Sequence, residues 1–374
     1  MGTSLRGIWI RHISAALLAW ALPHYASAAA TLVNPQGTLA LGVNDEGHLI
    51  TAAGGVAVNG GGPAGNETGV AFRFEDGSFY DAASPGCLCE GWGVSVGGTT
   101  SGYASLHTDG GANGLELIEF VATESTAVSR VALAGLPGLT IEHAFAPAPN
   151  APDRLFHGRV TIRNQTGAEL GDLNYVRLLD WDVPPTEFNE RLTIQGVATS
   201  SLLARSHNNG QSSANPLTPS EPIDLASLDV DFQDLISTSV PPNSDQGAYF
   251  RFEFGSLGAG EELSFDLFYG AAASEALALE AIALEHVELY SLGQSFVDAE
   301  NGTPATFIFA FAGVGGVPVP EPSAAALVAA GAALLAGARQ MVPRLSSRRT
   351  SRSTQASTSS SCVGSTRSGA AGTS

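Results

Sequence analysis

The sequence predicts a mainly β protein, a large antiparallel β-sandwich with one peripheral helix, on three observations. Apolar and polar residues alternate with a period of two along many short segments, and Gly, Pro and Asn turns separate those segments. No unit of roughly 20–50 residues repeats, which argues against a solenoid or propeller. By fold-level analogy, the length and the number of strands suit a supersandwich.

Residues 1–28 predict a signal peptide with its own short helix. Arg6 and Arg11 precede an apolar run over 13–22, and Ala26-Ser27-Ala28 places small residues where a signal peptidase reads. That run is short for a hydrocarbon core of about 30 Å, so it reads as a cleaved segment rather than a membrane anchor.

The body, 29–317, is long enough for one large domain or two smaller sandwiches, and no Pro- or Ser-rich linker divides it. Strands are predicted over 115–121, 128–133, 139–145, 155–163, 173–182, 192–197 and 306–312. In 155–163, Phe156, Val160 and Ile162 fall on one face and His157, Arg159, Thr161 and Arg163 on the other, before a turn at Asn164-Gln165-Thr166-Gly167. Phe250, Phe252 and Phe254 alternate with Tyr249, Arg251 and Glu253; a Gly-bearing loop over 255–260 follows, then Leu263, Phe265, Leu267 and Tyr269 resume the pattern. This predicts a hairpin with an aromatic core face. Long loops are expected over 212–222 and 240–245. One helix is predicted from the N-cap Ser274, with Glu275 in its first turn, to Gly293, packed against the edge of the sandwich.

Past the body, Val319-Pro320-Glu321-Pro322-Ser323 leads into an apolar stretch over 324–338 and then Arg339, Arg344, Arg348 and Arg349. The prolines hold an extended segment, the apolar run over 324–342 predicts a transmembrane helix, and the arginines stop transfer by the positive-inside rule. The order of these three parts resembles the PEP-CTERM sorting signal of Gram-negative bacteria. That resemblance implies an inner-membrane stage, an exosortase as processing partner, and cutting near Val319, Pro320, Glu321 and Pro322. The chain departs from the family pattern in continuing beyond the arginines, with a Ser/Thr-rich segment over 350–374 whose composition predicts disorder. Three phrases of the body, LGVNDEGHL at 41–49, PGCLCEGWG at 85–93 and DWDV at 180–183, resemble a body that recurs in uncharacterised exported proteins with this tail.

Composition narrows the partners. The formal net charge is −19, no lysine occurs, and much of the arginine lies at the two ends, so the body is more acidic still. Such a surface repels phosphate backbones and excludes nucleic acid, while cation-bridged contact with acidic polysaccharide remains compatible.

Asp180 and Asp182 are the sharpest pair. At i and i+2 of a strand they share a face about 6.5–7 Å apart, with Trp181 opposite. They suit a structural strand end paired with Arg177 or Arg191, a calcium site completed by Glu187, or an acid/base pair of glycosidase type. Cys87 and Cys89 stand beside the turn-forming Pro85-Gly86 and, in an oxidising compartment, suit a tight disulfide; free thiols are the alternative. Trp92 is either a sugar-stacking platform or a core residue. Asn44 to Gly47 reads as a turn rather than an EF-hand loop. The histidines His48, His107, His143, His157 and His207 follow no metalloprotease spacing, and no serine-hydrolase elbow occurs.

The expectation is therefore a non-enzymatic structural or adhesive protein of the cell surface or extracellular matrix, in a biofilm or exopolysaccharide setting. A calcium-assisted carbohydrate-binding module, or a carbohydrate-active enzyme on the same sandwich, is the alternative.

Overall fold

The computed structural model describes residues 29–52, 56, 58–59, 67–106, 108–235, 245–296 and 305–320. The expected signal peptide, Glu321, Pro322, the apolar helix and Arg339, Arg344, Arg348 and Arg349 lie outside the described residues. The strands run β1 (Ala29–Val33), β2 (Leu39–Asn44), β3 (Val58–Asn59), β4 (Val70–Arg73), β5 (Phe79–Asp81), β6 (Glu90–Val96), β7 (Thr100–Ser105), β8 (Gly111–Asn113), β9 (Leu115–Ala122) and β10 (Ala127–Leu133). They continue with β11 (Leu136–Pro147), β12 (Leu155–Asn164), β13 (Leu170–Trp181), β14 (Glu190–Gln195), β15 (Leu203–His207), β16 (Phe232–Leu235), β17 (Gln246–Leu257) and β18 (Glu262–Ala272). Helix α1 (Glu275–Leu284) precedes β19 (Leu289–Ser295) and β20 (Thr306–Ala312).

Three sheets result. The largest is ordered β16-β14-β19-β20-β18-β12-β11-β10-β9, the second β15-β17-β13-β6-β7-β8, and the smallest β1-β2-β4-β5-β3. Pairing is antiparallel except between β3 and β5. The two larger sheets face each other across an aromatic core. Phe250 and Phe252 of β17 meet Phe309 and Phe311 of β20 at ring separations of 5.0–5.5 Å, and Tyr175 of β13 meets Phe265 of β18 at 5.0 Å. Leu39, Leu41, Leu49 and Val70 of the smallest sheet and its turns join the same core.

The aromatic alternation over 246–272 is real but the hairpin is not. β17 belongs to the six-stranded sheet and β18 to the nine-stranded one, so Phe252 and Phe254 reach Phe265 across the sandwich, at 6.1 and 5.3 Å, instead of along one sheet. Period-two alternation reports which face is apolar; it does not report the neighbouring strand.

The helix also ends earlier than its composition suggests. Ser274 caps it, accepting from the Leu277 amide, but it stops at Leu284. His286 takes a left-handed φ of 54°, its amide bonds to the Ala283 carbonyl, and the Val287 amide bonds to the Ile282 carbonyl. This is a Schellman close built on His where Gly is usual. The remainder of the expected helix is β19. Nor does α1 sit at an edge: Ala278, Ala281 and Ile282 cover Leu155, Phe268, Ile308 and Ala310 in the middle of the large sheet. β20 is accordingly buried on both faces, with Phe307, Phe309 and Phe311 inward and Ile308 and Ala310 beneath the helix.

Where the sheets meet, a buried polar network replaces hydrocarbon. Arg177 of β13 and Glu90 of β6, both fully buried, pair at 2.6 Å, and Tyr269 of β18 donates to the same Glu90 oxygen at 2.7 Å. The guanidinium also donates to the Gly47 carbonyl, and the other Glu90 oxygen accepts from the Leu49 amide. Gly47, at φ 83°, closes the turn that begins at Asn44. One ion pair thus fastens the turn after β2 to strands of both larger sheets.

Removing one partner strands the other charge in the interior, so Glu90→Ala should lower the unfolding free energy by about 3–5 kcal/mol in denaturant melts. Arg159→Ala, which breaks an exposed pair with Asp266, should cost under about 1 kcal/mol in the same assay.

Candidate functional site

Strand parity divides β13. Tyr175, Arg177, Leu179 and Trp181 face the core, and the Trp181 indole donates to Ser291 of β19 at 3.0 Å over Gly293, where any Cβ would meet the ring. Val176, Leu178, Asp180 and Asp182 face outward. There a long loop through Ala214 covers Val176 and Leu178, pinned by Asp109, which accepts from Ser213 and from the Ala214 amide. Beyond the reach of that cover, Asp180 and Asp182 enter a pocket of their own, each 1% exposed.

Carboxylates fill this pocket. Oxygens of Asp180, Asp182 and Asp245, the last just before β17, lie within 4.8 Å of one another. Glu190, the first residue of β14 and fully buried, is close enough for its charge to act on Asp182. Five of these oxygens have no hydrogen-bond partner: Asp180 Oδ1, both of Asp182, Asp245 Oδ1 and Glu190 Oε2. Two of the sister oxygens are held: Gln211 donates to Asp245 Oδ2 at 2.9 Å and the Asn189 amide donates to Glu190 Oε1 at 2.9 Å. Asp180 Oδ2 lies 3.2 Å from Cys87 Sγ, a disulfide sulfur with no proton to donate. Among the described residues no arginine forms an ion pair with any of the four, and Arg177, an odd number of residues from Asp180, is spent on Glu90 across the sheet.

Burial pushes all four carboxyls upward, and repulsion from neighbouring acids adds to it for Asp180, Asp182 and Glu190. Asp182 rises from 3.8 to about 10 and Glu190 from 4.5 to about 10; Asp180 and Asp245 rise also. An acid/base pair needs one ionised member and a substrate within hydrogen-bond reach. Asp180 and Asp182 are each 1% exposed and, among the described residues, have no basic partner that keeps one of them ionised.

The cysteine loop forms one wall. Leu88 adopts a φ of 55°, and Cys87 and Cys89 are joined as a disulfide. Gly86, at φ 73°, lets the loop close in: a Cβ there would stand 3.0 and 3.1 Å from the two Asp182 oxygens.

Two expected residues are placed differently. Glu187 does not join the cluster. It lies inside a reverse turn closed by the Asn189 amide on the Thr186 carbonyl, and Glu190, where the strand begins, brings its carboxylate inward instead. Trp92 is fully buried, donates to the Glu46 carbonyl at 2.9 Å, stacks against Tyr175 and meets His143 at a tilt, so it offers no platform to a sugar. Asp245 and Glu190 were not distinguishable in sequence: Asp245 is 63 residues from Asp182, and nothing in their local pattern separates them from other surface acids.

His207 and Ser220 form the other polar cluster. Ser220 Oγ is 2.8 Å from His207 Nε2, but Nδ1 accepts from the Asn209 amide, so Nε2 carries the proton and donates to the serine. The imidazole, pushed down to about 3 by burial, cannot act as the base a serine nucleophile needs. No protein-family model and no curated protein sequence matches this chain.

Asp182 and Glu190 hold protons in the folded chain that they release at about 4 when unfolded, so without divalent cations stability should fall as pH rises from about 4 toward 10. Each such proton contributes a slope of about 1.4 kcal/mol per pH unit. Buried His48 and His207, both pushed down to about 3, act in the opposite sense below about 6.5. Melts between about pH 7 and 9.5 in chelator therefore isolate the carboxyls, and Asp182→Asn should flatten the wild-type decline by about one proton's slope.

Proposed function

We propose that this chain is an exported protein of the Gram-negative cell surface or extracellular matrix, whose sandwich serves a structural or adhesive role. In this reading a signal peptide starts export, the tail over 318–349 holds the protein at the inner membrane, and an exosortase cuts near Val319 to Pro322. The observation that carries it is the order of Pro-Glu-Pro motif, apolar run and arginine cluster at the C-terminal end.

The path of the chain out of the body supports the same reading. Glu288 Oε2 accepts from the amides of Val314 and Gly316, and the Val319 amide donates to the Val287 carbonyl at 2.7 Å. The Gly/Pro segment after β20 is bound to the sandwich as far as Val319, and Pro320, which follows it, is exposed. A protease reading the motif would cut outside the fold and leave every strand in place.

Carbohydrate binding keeps one feature in its favour. On the outer face of the six-stranded sheet, two adjoining clefts of about 280 and 340 Å³ share Pro216, Leu217 and Arg251, and one of them adds Arg205. The two guanidinium groups stand among the lining carboxylates Glu221, Asp172 and Glu253, the last paired with Arg251 at 3.2 Å, a mixed polar lining that suits a glycan through hydrogen bonds and ion pairs alike.

Intact-mass measurement of the protein from its native host tests the sorting reading. Loss of residues 1–28 and of everything beyond the Pro-Glu-Pro region, only when exosortase is present, is expected; replacing Pro320, Glu321 and Pro322 with Ala should leave the tail attached. A tail retained in the presence of the enzyme would mean a permanent membrane anchor. Retention of an acidic polysaccharide by the wild type and not by an Arg205→Ala, Arg251→Ala variant would favour the second reading.

A further inference from the structure

The five unpartnered oxygens of the carboxylate pocket belong to side chains from three places in the fold: the end of β13, the start of β14 and the approach to β17. Leaving buried oxygens unmet is costly, and leaving several carboxylates together without a cation is costlier. The arrangement is orderly nonetheless. In Asp245 and Glu190 one oxygen accepts a hydrogen bond and the other is free, Asp180 has one free oxygen and one against a disulfide sulfur, and Asp182 presents both.

We propose that Asp180, Asp182 and Asp245 bind one calcium ion. Two oxygens on opposite sides of a calcium ion stand about 4.6–5.2 Å apart, given bonds of about 2.3–2.6 Å. Each of the three aspartates brings one oxygen within 4.8 Å of the other two, close enough for all three to share one such ion. Every donor is a hard oxygen. The two nearby sulfurs are bonded to each other and offer no thiolate, so zinc and other thiophilic metals lose their preferred ligands. Magnesium is disfavoured as well, because it demands near-octahedral geometry and keeps most of its water. Gly86 lets the cysteine loop pack close to Asp182, and Asp245 is half-buried.

The ion ties two neighbouring strands of the six-stranded sheet, since Asp180 and Asp182 lie at the end of β13 and Asp245 directly precedes β17. The role is therefore structural, and it stands whether or not the sorting reading holds.

The test uses the full chain, stripped with EGTA and titrated with calcium chloride in a calorimeter, with magnesium chloride as the comparison. One calcium per chain is expected, with Kd between about 10⁻⁶ and 10⁻³ M and a thermal midpoint several degrees higher at saturation. Asp182→Asn should weaken binding at least about 100-fold and Asp245→Asn at least about 10-fold, whereas Glu187→Gln should stay within about twofold. Near-ultraviolet circular dichroism in EGTA checks folding, and both Asn variants should melt no lower than the wild type there, since each removes an uncompensated carboxylate. No saturable heat and no change in midpoint up to about 10 mM calcium would overturn the assignment, as would calcium affinity unchanged in both Asn variants or magnesium binding as tightly as calcium.

Discussion

The pairing of Arg177 with Glu90 is the constraint on which the rest of the sandwich depends. A guanidinium and a carboxylate cannot be left in a dry interior unless geometry and hydrogen bonds compensate the loss of water. Here the compensation comes from different parts of the chain: Tyr269 from the nine-stranded sheet, the Gly47 carbonyl and the Leu49 amide from the turn after β2. Each must be in place for the others to be satisfied. The network consequently fixes how the smallest sheet sits on the two larger ones, a specification that interchangeable Phe and Leu contacts alone would leave looser.

The same strand parity that sends Arg177 inward sends Asp180 and Asp182 outward. The protein's most strongly held cation is thereby kept from its most crowded anions, although three residues separate them. A single odd interval in sequence creates both a neutralised network in the core and a buried acidic cluster whose free oxygens have no hydrogen-bond partner.

Much of this was legible before any coordinates. Alternation located the strands from Leu115 through Trp181 and the last strand, and parity placed the two aspartates on one face with Trp181 opposite. The failures share a cause. Alternation over 246–272 gave the inward face of β17 and β18 correctly, but strand partners depend on long-range closure that period two does not encode. The helix was drawn too long because His286 occupies the left-handed position where Gly would have announced the end, and Leu289 and Leu292, three apart, read equally well as a helical stripe or as opposite faces of a strand. For the pocket, local pattern identified the two acids adjacent in sequence and chose Glu187 for the third, since a turn places it nearby; Asp245 and Glu190 are brought in only by how β14 and β17 enter their sheets.

The anchoring of the chain's exit also bears on mechanics. β20 lies between β18 and β19 in the middle of the largest sheet, with α1 clamped over one face, and the bound segment from Val314 to Val319 continues directly from it. A pull applied through the C-terminal end must first detach that segment and then slide β20 past two hydrogen-bonded neighbours at once, loading their bonds in shear instead of peeling them one by one. A protein tethered at that end would resist tension through its stiffest strand, while an identical pull on an edge strand would unzip the sheet.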